Sequence, residues 1–154
     1  ANPFAKIDSY KVSGDKVTVD RSVKVSKNSL LDTMKEATFD KVDVIMLPLS
    51  TDTLSNNSSY LGDAVNLGGY LAMKENIVVC TSSSNHGDDY YTLSGGLAPW
   101  FIEPGICAPG EDILCANKYD SQYMYAYYQV MSGTSIAIAV VTGMLSYIKS
   151  FHKD

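Results

Sequence analysis

Ser135 is the residue of this chain whose type and position best fit a chemical role. It is the last residue of a Gly-Thr-Ser turn that leads into an apolar stretch, in which Ala137, Val141 and Ile148 recur at helical spacing. Because the opposite side of that stretch is apolar as well, a buried helix is predicted there. A helix N-terminus offers unpaired backbone N–H groups and a dipole that favours negative charge. A serine hydroxyl beside such donors has the arrangement that acyl transfer requires.

The elements expected to position this serine are strands joined by helices. Residues 42–49 form a nearly continuous apolar run, which indicates a central parallel strand covered on both faces. Residues 60–75 show helical spacing up to Asn76, a residue that tolerates the left-handed conformation at a helix end. Residues 77–81 give a second buried strand. This order predicts a right-handed parallel crossover in an α/β, three-layer domain.

Local patterns predict the remaining elements. Residues 6–12 alternate weakly and fit a strand, and residues 13–27 fit a hairpin. Residues 29–39 predict a helix that Asn28 or Ser29 can cap, and Ser29-x-x-Asp32 fits the capping pattern. Residues 119–128 contain five tyrosines and are interpreted as a half-buried hairpin. Basic residues are not interleaved with these tyrosines, which argues against base stacking.

Several motifs resemble those of one protease family. Ser132-Gly-Thr-Ser-Ile-Ala137 is similar to the G-T-S-M-A signature that carries the nucleophile of subtilisin-like serine proteases. Tyr147-Ile-Lys-Ser-Phe-His152 is similar to the plant (cucumisin-like) branch of that family. Further matches, in the family's own order, lie at residues 1–12, 41–50, 70–87, 98–100 and 106–114.

The resemblance implies a site built from three of these segments. Ser135 matches the family's nucleophile, and Asn85 matches the asparagine of its oxyanion hole. The residues implied to contact substrate are Leu49, Ser50, Ser82, Ser83, Ser84, Gly133 and Thr134. No metal or other cofactor is implied, and the adjacent Asp88-Asp89 lack the spaced oxygen ligands of a calcium site. Each role has a structural alternative, because serine is a common helix cap and asparagine a common turn residue.

The family's two other catalytic residues have no recognisable counterpart in this chain. A serine nucleophile needs a base and a carboxylate that orients it. In the family these lie in G-H-G-T-H and D-T-G segments that precede the match to residues 1–12. The chain has two histidines. His86 adjoins Gly87 and fits a solvated loop, whereas His152 follows the last helical pattern, so neither is predicted to be the base.

The motifs around the implied site also depart from the family pattern. Pro48-Leu49-Ser50 replaces S-L-G, which removes a backbone donor and fills the space of a glycine. Ser84 stands where S-A-G-N has its glycine, and Ala139-Val140 replaces the P-H that follows the serine. Together these changes predict that substrate binding and catalysis are not maintained.

Length and composition fit one soluble globular domain over residues 1–154. The 154 residues are 45% apolar, and no apolar run approaches a membrane span. A net charge of -5 without a basic stripe argues against nucleic acid and anionic membrane surfaces as partners. Because the resemblance covers only the later part of the family's catalytic domain, the domain is interpreted as truncated. The family's inserted segment is missing near residues 102–103, which indicates internal shortening.

Cysteines and sequons give little functional information. Cys80, Cys107 and Cys115 lack C-x-x-C spacing, which argues against a zinc site and favours buried free thiols. Asn56 and Asn57 begin two overlapping N-x-S sequons, which matter only in the secretory route. The family resemblance suggests a secreted protein, although no signal peptide is visible in this chain.

Three functional hypotheses follow. The first is a degenerate subtilisin-like homologue that is inactive alone and binds a peptide or protein in a regulatory role. The second is a serine endopeptidase fragment whose aspartate and histidine come from a complementary N-terminal segment, in another chain or a longer precursor. The third is a truncated product without function, because missing strands would leave apolar faces uncovered.

Overall fold

The computed structural model describes residues 2–12, 25–49, 60–85, 87, 98–102, 105–117 and 127–152. In chain order these form α1 (Lys27–Phe39), β1 (Val44–Leu47), a 3-10 turn (Tyr60–Gly62), α2 (Ala64–Lys74), β2 (Val78–Thr81), β3 (Phe101–Ile102), β4 (Ile113–Ala116), β5 (Tyr128–Met131) and α3 (Thr134–Lys149). The predictions for residues 13–24, the sequons, Ser50, His86, Asp88-Asp89 and residues 119–126 lie outside the described residues, as does residue 103 at the predicted shortening.

The predicted parallel crossover is confirmed. β1 pairs in parallel with β2, with Val44 opposite Val78 and Leu47 opposite Thr81, and α2 connects the two strands. β3 extends this sheet as a third parallel strand beside β2. Asn76 ends the helical segment with a φ of 63°, in the left-handed conformation expected there.

α2 is shorter than its sequence pattern because a strong cap fixes its start. The Asp63 carboxylate accepts hydrogen bonds from the backbone N–H groups of Val65 at 2.9 Å and Asn66 at 3.3 Å. These bonds satisfy two of the donors that a helix leaves unpaired at its N-terminus. The residues before Asp63, Tyr60–Gly62, form the separate 3-10 turn.

The three-layer arrangement can be traced to two neighbouring residues of β2. Successive side chains of a strand point to opposite faces of the sheet. Val79 belongs to the core cluster shared with α1 and α2, whereas the thiol of Cys80 interacts with Thr142 of α3. The sheet therefore lies between α1 and α2 on one face and α3 on the other, as the α/β prediction requires.

Close helix packing in the core depends on two adjacent glycines of α2. A Cβ at Gly68 would lie 2.6 Å from the Met34 sulfur, and one at Gly69 would overlap the Phe101 ring. A larger residue at either position would force these neighbours apart. Gly68 and Gly69 thus set the distances from α2 to α1 and to β3.

The predictions for the N-terminal third need two corrections. α1 begins at Lys27 after Ser26, and Ser29 does not cap it, because the Ser29 hydroxyl donates instead to the Val12 carbonyl at 3.3 Å. Residues 6–12 form no strand. The Tyr10 hydroxyl donates to the Asp40 carboxylate at 2.5 Å, so this segment is held by side chains rather than by a sheet ladder.

The prediction that residues 42–49 form a central strand is wrong for the sheet in the described part of the chain. β1 is its edge strand, and Met46 is 44% exposed. The apolar run that suggested a central strand is present, but residues 6–12, which were predicted to form a strand, do not pair with it.

The prediction of a helix buried all round is also wrong. Only Ile138 and Val141 of α3 are buried, and the side of the helix turned from the sheet is exposed. α3 is apolar all round in sequence, and the strands it packs against in the described part of the chain are β1 and β2. Among the described residues, no helix is long and apolar enough to cross a membrane.

β4 and β5 form a separate antiparallel hairpin, with Ile113 opposite Met131 and Ala116 opposite Tyr128. These strands flank the segment for which a hairpin was predicted, and Tyr128, 63% exposed, is not half-buried as expected. The hairpin leads directly into the turn before α3.

Candidate functional site

Three segments meet at the N-terminus of α3. They are Pro48 after β1, the loop of residues 82–85 after β2, and the turn of residues 132–135. Because β1 and β2 are parallel, their carboxyl ends lie at the same edge of the sheet, where sites in such folds gather. The predicted nucleophile and oxyanion segments are therefore brought together.

The Asn85 side chain is hydrogen-bonded to Thr134, the first residue of α3. Its side-chain oxygen accepts hydrogen bonds from the Thr134 backbone N–H at 2.8 Å and the Thr134 hydroxyl at 3.0 Å. Because a backbone N–H can only donate, the amide oxygen must face Thr134, which leaves the Asn85 NH2 group as a donor on an exposed side chain. This is the group that an oxyanion-hole role would use, and that role stays a prediction.

The turn before α3 relies on Gly133. This residue has φ 148° and ψ 161°, a region that is essentially restricted to glycine. Its N–H donates to the Gly110 carbonyl at 2.7 Å, and a Cβ at Gly133 would lie 3.4 Å from the Asn85 amide. Gly133 thus places the Asn85 amide and the turn at Ala108-Pro109-Gly110 next to the N-terminus of α3.

Ser135 is the second residue of α3, not its N-cap, which is Gly133. The alternative reading of Ser135 as a helix cap is therefore wrong. The Ser135 hydroxyl donates to the Pro48 carbonyl at 3.2 Å, across the gap between α3 and the end of β1. A carbonyl oxygen accepts a hydrogen bond but is no base for a serine proton at neutral pH, so this contact does not activate the hydroxyl.

Ser84 has an unusual backbone for a serine. Its φ is 81°, in the left-handed region that favours glycine. The residue is only 8% exposed, and its hydroxyl has no hydrogen-bond partner among the described residues. The Ser84 carbonyl lies 3.0 Å from the Thr134 hydroxyl and shares its one proton with the Asn85 side-chain oxygen. A serine at a backbone position that favours glycine thus supports the loop that carries Asn85.

The other residues with an implied substrate role differ in accessibility. Leu49 is half-buried and packs against the hydrophobic core, and Ser82 is buried, whereas Ser83 is half-buried. Gly133 and Thr134 lie at the α3 turn beside Asn85. The substrate roles of these residues stay predictions.

Among the described residues, no titratable side chain that could act as a base lies within hydrogen-bond distance of the Ser135 hydroxyl. α3 ends at Lys149, 14 residues after Ser135 and about 21 Å along the helix, and His152 lies three residues beyond that end. Among the described residues, no three His, Cys, Asp or Glu side chains cluster as a metal site would require. Burial raises the pKa of the Cys80 thiol, and a hydrogen bond with Thr142 opposes that shift, so Cys80 is a protonated core residue.

Sequence reasoning missed two partners of the site. The Pro48 carbonyl binds the serine hydroxyl, and Gly110 packs so closely on α3 that a Cβ would lie 2.9 Å from that of Ala137. The Ala-Pro-Gly sequence signals a turn at Gly110, but no local pattern reveals what the turn contacts. The carbonyl of Pro48 has no sequence signal at all, because every residue has one.

Comparison with known proteins supports the family assignment. Residues 89–154 match the Subtilase family, Peptidase S8. The chain is similar to the Arabidopsis thaliana subtilisin-like protease SBT4.14, with 38% identity over 60 residues that make up 34% of this chain and 8% of the relative. It is also similar to SBT4.15 of the same plant, with 32% identity over 100 residues, 65% of this chain and 12% of the relative. The chain thus spans only about a tenth of these relatives.

Solved structures with the same fold include two maturation proteases. The prenylagaramide maturation protease PagA has a TM-score of 0.63 at 18% identity, covering 90% of this chain and 55% of PagA. The patellamide maturation protease PatA has a TM-score of 0.57 at 19% identity, over 90% of this chain and 56% of PatA. At these identities the likeness concerns the fold. Residues 89–154 therefore resemble the Subtilase family, and the chain is similar to the plant subtilisin-like proteases.

Proposed function

We propose that this chain is a degenerate subtilase homologue that does not hydrolyse peptides by itself and acts as a binding or regulatory protein. In this proposal residues 1–154 are one partial, internally shortened subtilase domain. The observation that carries it is the hydrogen bond from the Ser135 hydroxyl to the Pro48 carbonyl at 3.2 Å. In an active site that hydroxyl hands its proton to a base.

The surroundings of Ser135 support the same conclusion. His152 lies beyond the far end of α3, which is about 21 Å along the helix from Ser135, and is too distant to serve as a base. The loop beside the site carries Ser84 at a glycine-type φ of 81°, and the Ser84 carbonyl lies 3.0 Å from the Thr134 hydroxyl of α3. Such a site is better suited to hold the loop and the helix together than to process a peptide.

A peptide or protein ligand is proposed because part of the site geometry suits binding. Asn85 is exposed, and its amide is oriented by Thr134 so that the NH2 group can donate to a ligand carbonyl. The turn at Gly133 keeps this amide at the N-terminus of α3, where the helix dipole favours an oxygen with partial negative charge. Binding through these donors needs no catalytic base.

The same preserved turn favours a second candidate function. A serine endopeptidase completed in trans would need Ser135 and Asn85 on adjoining segments, and Asn85 accepts a hydrogen bond from the residue before Ser135. In that case the Pro48 contact is released when a partner polypeptide brings an aspartate and a histidine to the site. The sheet could accept a strand from such a partner polypeptide, because β1 is an edge strand in the described part of the chain.

Labelling with a fluorophosphonate probe distinguishes the two candidates. The degenerate homologue should show no more labelling than its Ser135→Ala variant, since the probe needs an activated serine. Stoichiometric labelling that disappears in Ser135→Ala would refute the proposal and make His86→Ala the next variant. Labelling that appears only after addition of a polypeptide with the D-T-G and G-H-G-T-H segments would establish the split protease.

A further inference from the structure

The loop that follows β2 is strained at one residue. Ser84 has a φ of 81°, in the left-handed region, where a side chain is unfavourable. The residue is 8% exposed, and its hydroxyl has no hydrogen-bond partner among the described residues. Two separate penalties therefore fall on the same residue. Backbone strain of this kind persists only where the surroundings enforce it, and it is concentrated at functional and switch regions.

Few polar contacts enforce the strained conformation. Among the described residues, no backbone–backbone hydrogen bond outside the helices and strands involves Ser83 or Ser84. The peptide group between these two serines is therefore not fixed by such a bond, and its rotation changes the sign of φ at Ser84. The polar contact that holds the Ser84 backbone is the one between its carbonyl and the Thr134 hydroxyl, at 3.0 Å.

Thr134 can release Ser84 without losing a hydrogen bond of its own. The Thr134 hydroxyl carries one proton and lies 3.0 Å from each of two acceptors, the Ser84 carbonyl and the Asn85 side-chain oxygen. The Thr134 backbone N–H also donates to that Asn85 oxygen, at 2.8 Å. When the hydroxyl donates to Asn85 alone, Asn85 stays attached to α3 and the Ser84 carbonyl is freed.

We propose that residues 82–85 form a two-state loop. In the first state, which the structure shows, Thr134 holds the Ser84 carbonyl and the φ of Ser84 is positive. In the second state the Ser83–Ser84 peptide is turned, this φ is negative, and the Ser84 hydroxyl and carbonyl reach water. The second state relieves both penalties but gives up the Thr134 contact and the burial of Ser84. It is therefore the minor state, with a population of about 1–10%, in the range that is typical of such equilibria.

The loop sets the orientation of Asn85 at the N-terminus of α3. This consequence rests on the proposed function, in which the Asn85 NH2 group donates to a ligand carbonyl. Because Asn85 directly follows Ser84, turning the backbone at Ser84 moves this NH2 group relative to the helix. A ligand that needs the first state suppresses the second, so ligand binding and loop conformation regulate each other.

Amide-nitrogen relaxation dispersion and saturation transfer on the ligand-free chain test the proposal. The amides of Ser83, Ser84, Asn85 and Thr134 should show exchange on the microsecond to millisecond scale with one common population. Ser84→Gly should lower the minor population about tenfold, because glycine relieves the strain of the first state alone. Thr134→Val should raise it about threefold or more, because valine lacks the hydroxyl but keeps the N–H that binds Asn85.

Two control variants separate the hydroxyl contact from general effects. Thr134→Ser keeps a hydroxyl and should leave the population close to that of the unmodified chain. Thr38→Val removes a similar hydroxyl from α1, which donates to the Met34 carbonyl at 2.7 Å, and should not alter exchange in the loop. Thermal unfolding followed by circular dichroism verifies that each variant is folded.

Any of three outcomes would overturn the proposal. The first is the absence of exchange at these amides at every field and temperature, which would mean a single loop conformation. The second is exchange that Ser84→Gly leaves unchanged. The third is a minor population that Thr134→Val fails to raise, or that Thr38→Val raises as much. The exchange measurement needs no ligand and no reactive serine, so its failure is distinct from failure of the proposed function, which fluorophosphonate labelling tests.

Discussion

Replacing Ser84 by glycine should stabilise the protein, which is rare for a substitution at a buried position. Ser84 has a φ of 81°, is 8% exposed, and has a hydroxyl without a hydrogen-bond partner among the described residues. The left-handed conformation costs a non-glycine residue about 1–2 kcal/mol. A buried unsatisfied hydroxyl costs about 1–3 kcal/mol more. Ser84→Gly removes both penalties.

The glycine variant also has a cost, which sets the expected net effect. Glycine gives the unfolded chain more freedom, which opposes folding by about 0.5–1 kcal/mol. The net gain should be about 2 kcal/mol in the free energy of unfolding, or roughly 4–8 °C in Tm for a chain of this size. Ser84→Ala separates the two penalties, because alanine removes the hydroxyl but keeps the strained backbone.

Urea and thermal unfolding followed by circular dichroism measure this effect. Ser83→Gly is the matched control, because Ser83 is not among the described residues with a positive φ. It should lose about 0.5–1 kcal/mol from glycine flexibility alone. If Ser84→Gly is as destabilising as Ser83→Gly, the reasoning about backbone strain in this loop is refuted.

Three further predictions follow from other contacts. Gly133→Ala should lower the free energy of unfolding by about 1–3 kcal/mol, because its φ of 148° and ψ of 161° suit glycine alone, and an unchanged urea midpoint would contradict this. Lys149→Met should cost about 1–3 kcal/mol by removing two bonds to the carbonyls of Asp43 and Asn76. The control Lys35→Met should change little, since the pair of Lys35 with Asp32 is exposed, and equal losses in both would contradict the assignment. The hydrogen bond to Asp40 raises the pKa of Tyr10 to about 12 from its ordinary value of 10.0, so tyrosinate absorbance should reveal a late titration that Asp40→Asn shifts down. Because the pKa is raised in the folded state, the stability linked to Tyr10 is present below pH 10 and lost between about pH 10 and 12, and a Tyr10→Phe variant without this pH dependence checks the sign.

The repeating strand and helix order was predictable because it depends on local hydrophobic patterns. The apolar runs at residues 42–49 and 77–81 and the helical spacing between them predicted β1, α2 and β2. In the described part of the chain β1 lies at the edge of the sheet. This position was not predictable, because an apolar run shows what a strand could bury and not which neighbouring strand is present. The same limit explains α3, whose apolar outer face lies exposed.

The site was predictable as a set of motifs but not as a set of contacts. The family resemblance located Ser135 and Asn85, and the structure brings their segments together through Thr134. The bond between the Ser135 hydroxyl and the Pro48 carbonyl joins residues 87 positions apart, and no local pattern encodes such a pairing. The substitution of serine for glycine at Ser84 was visible in the sequence, but its consequence depends on a φ value that only the structure provides.

We propose that the Ser135 hydroxyl is a structural donor and not an activated nucleophile. The most direct measurement is the free energy of unfolding of Ser135→Ala against the unmodified chain. Loss of the bond to Pro48 should lower it by about 0.5–1 kcal/mol, in the lower part of the range for a hydrogen bond because the contact is exposed. An unchanged or increased free energy of unfolding would contradict a structural role for the Ser135 hydroxyl. Catalytic residues often reduce stability, so replacing one commonly leaves the protein as stable or makes it more stable.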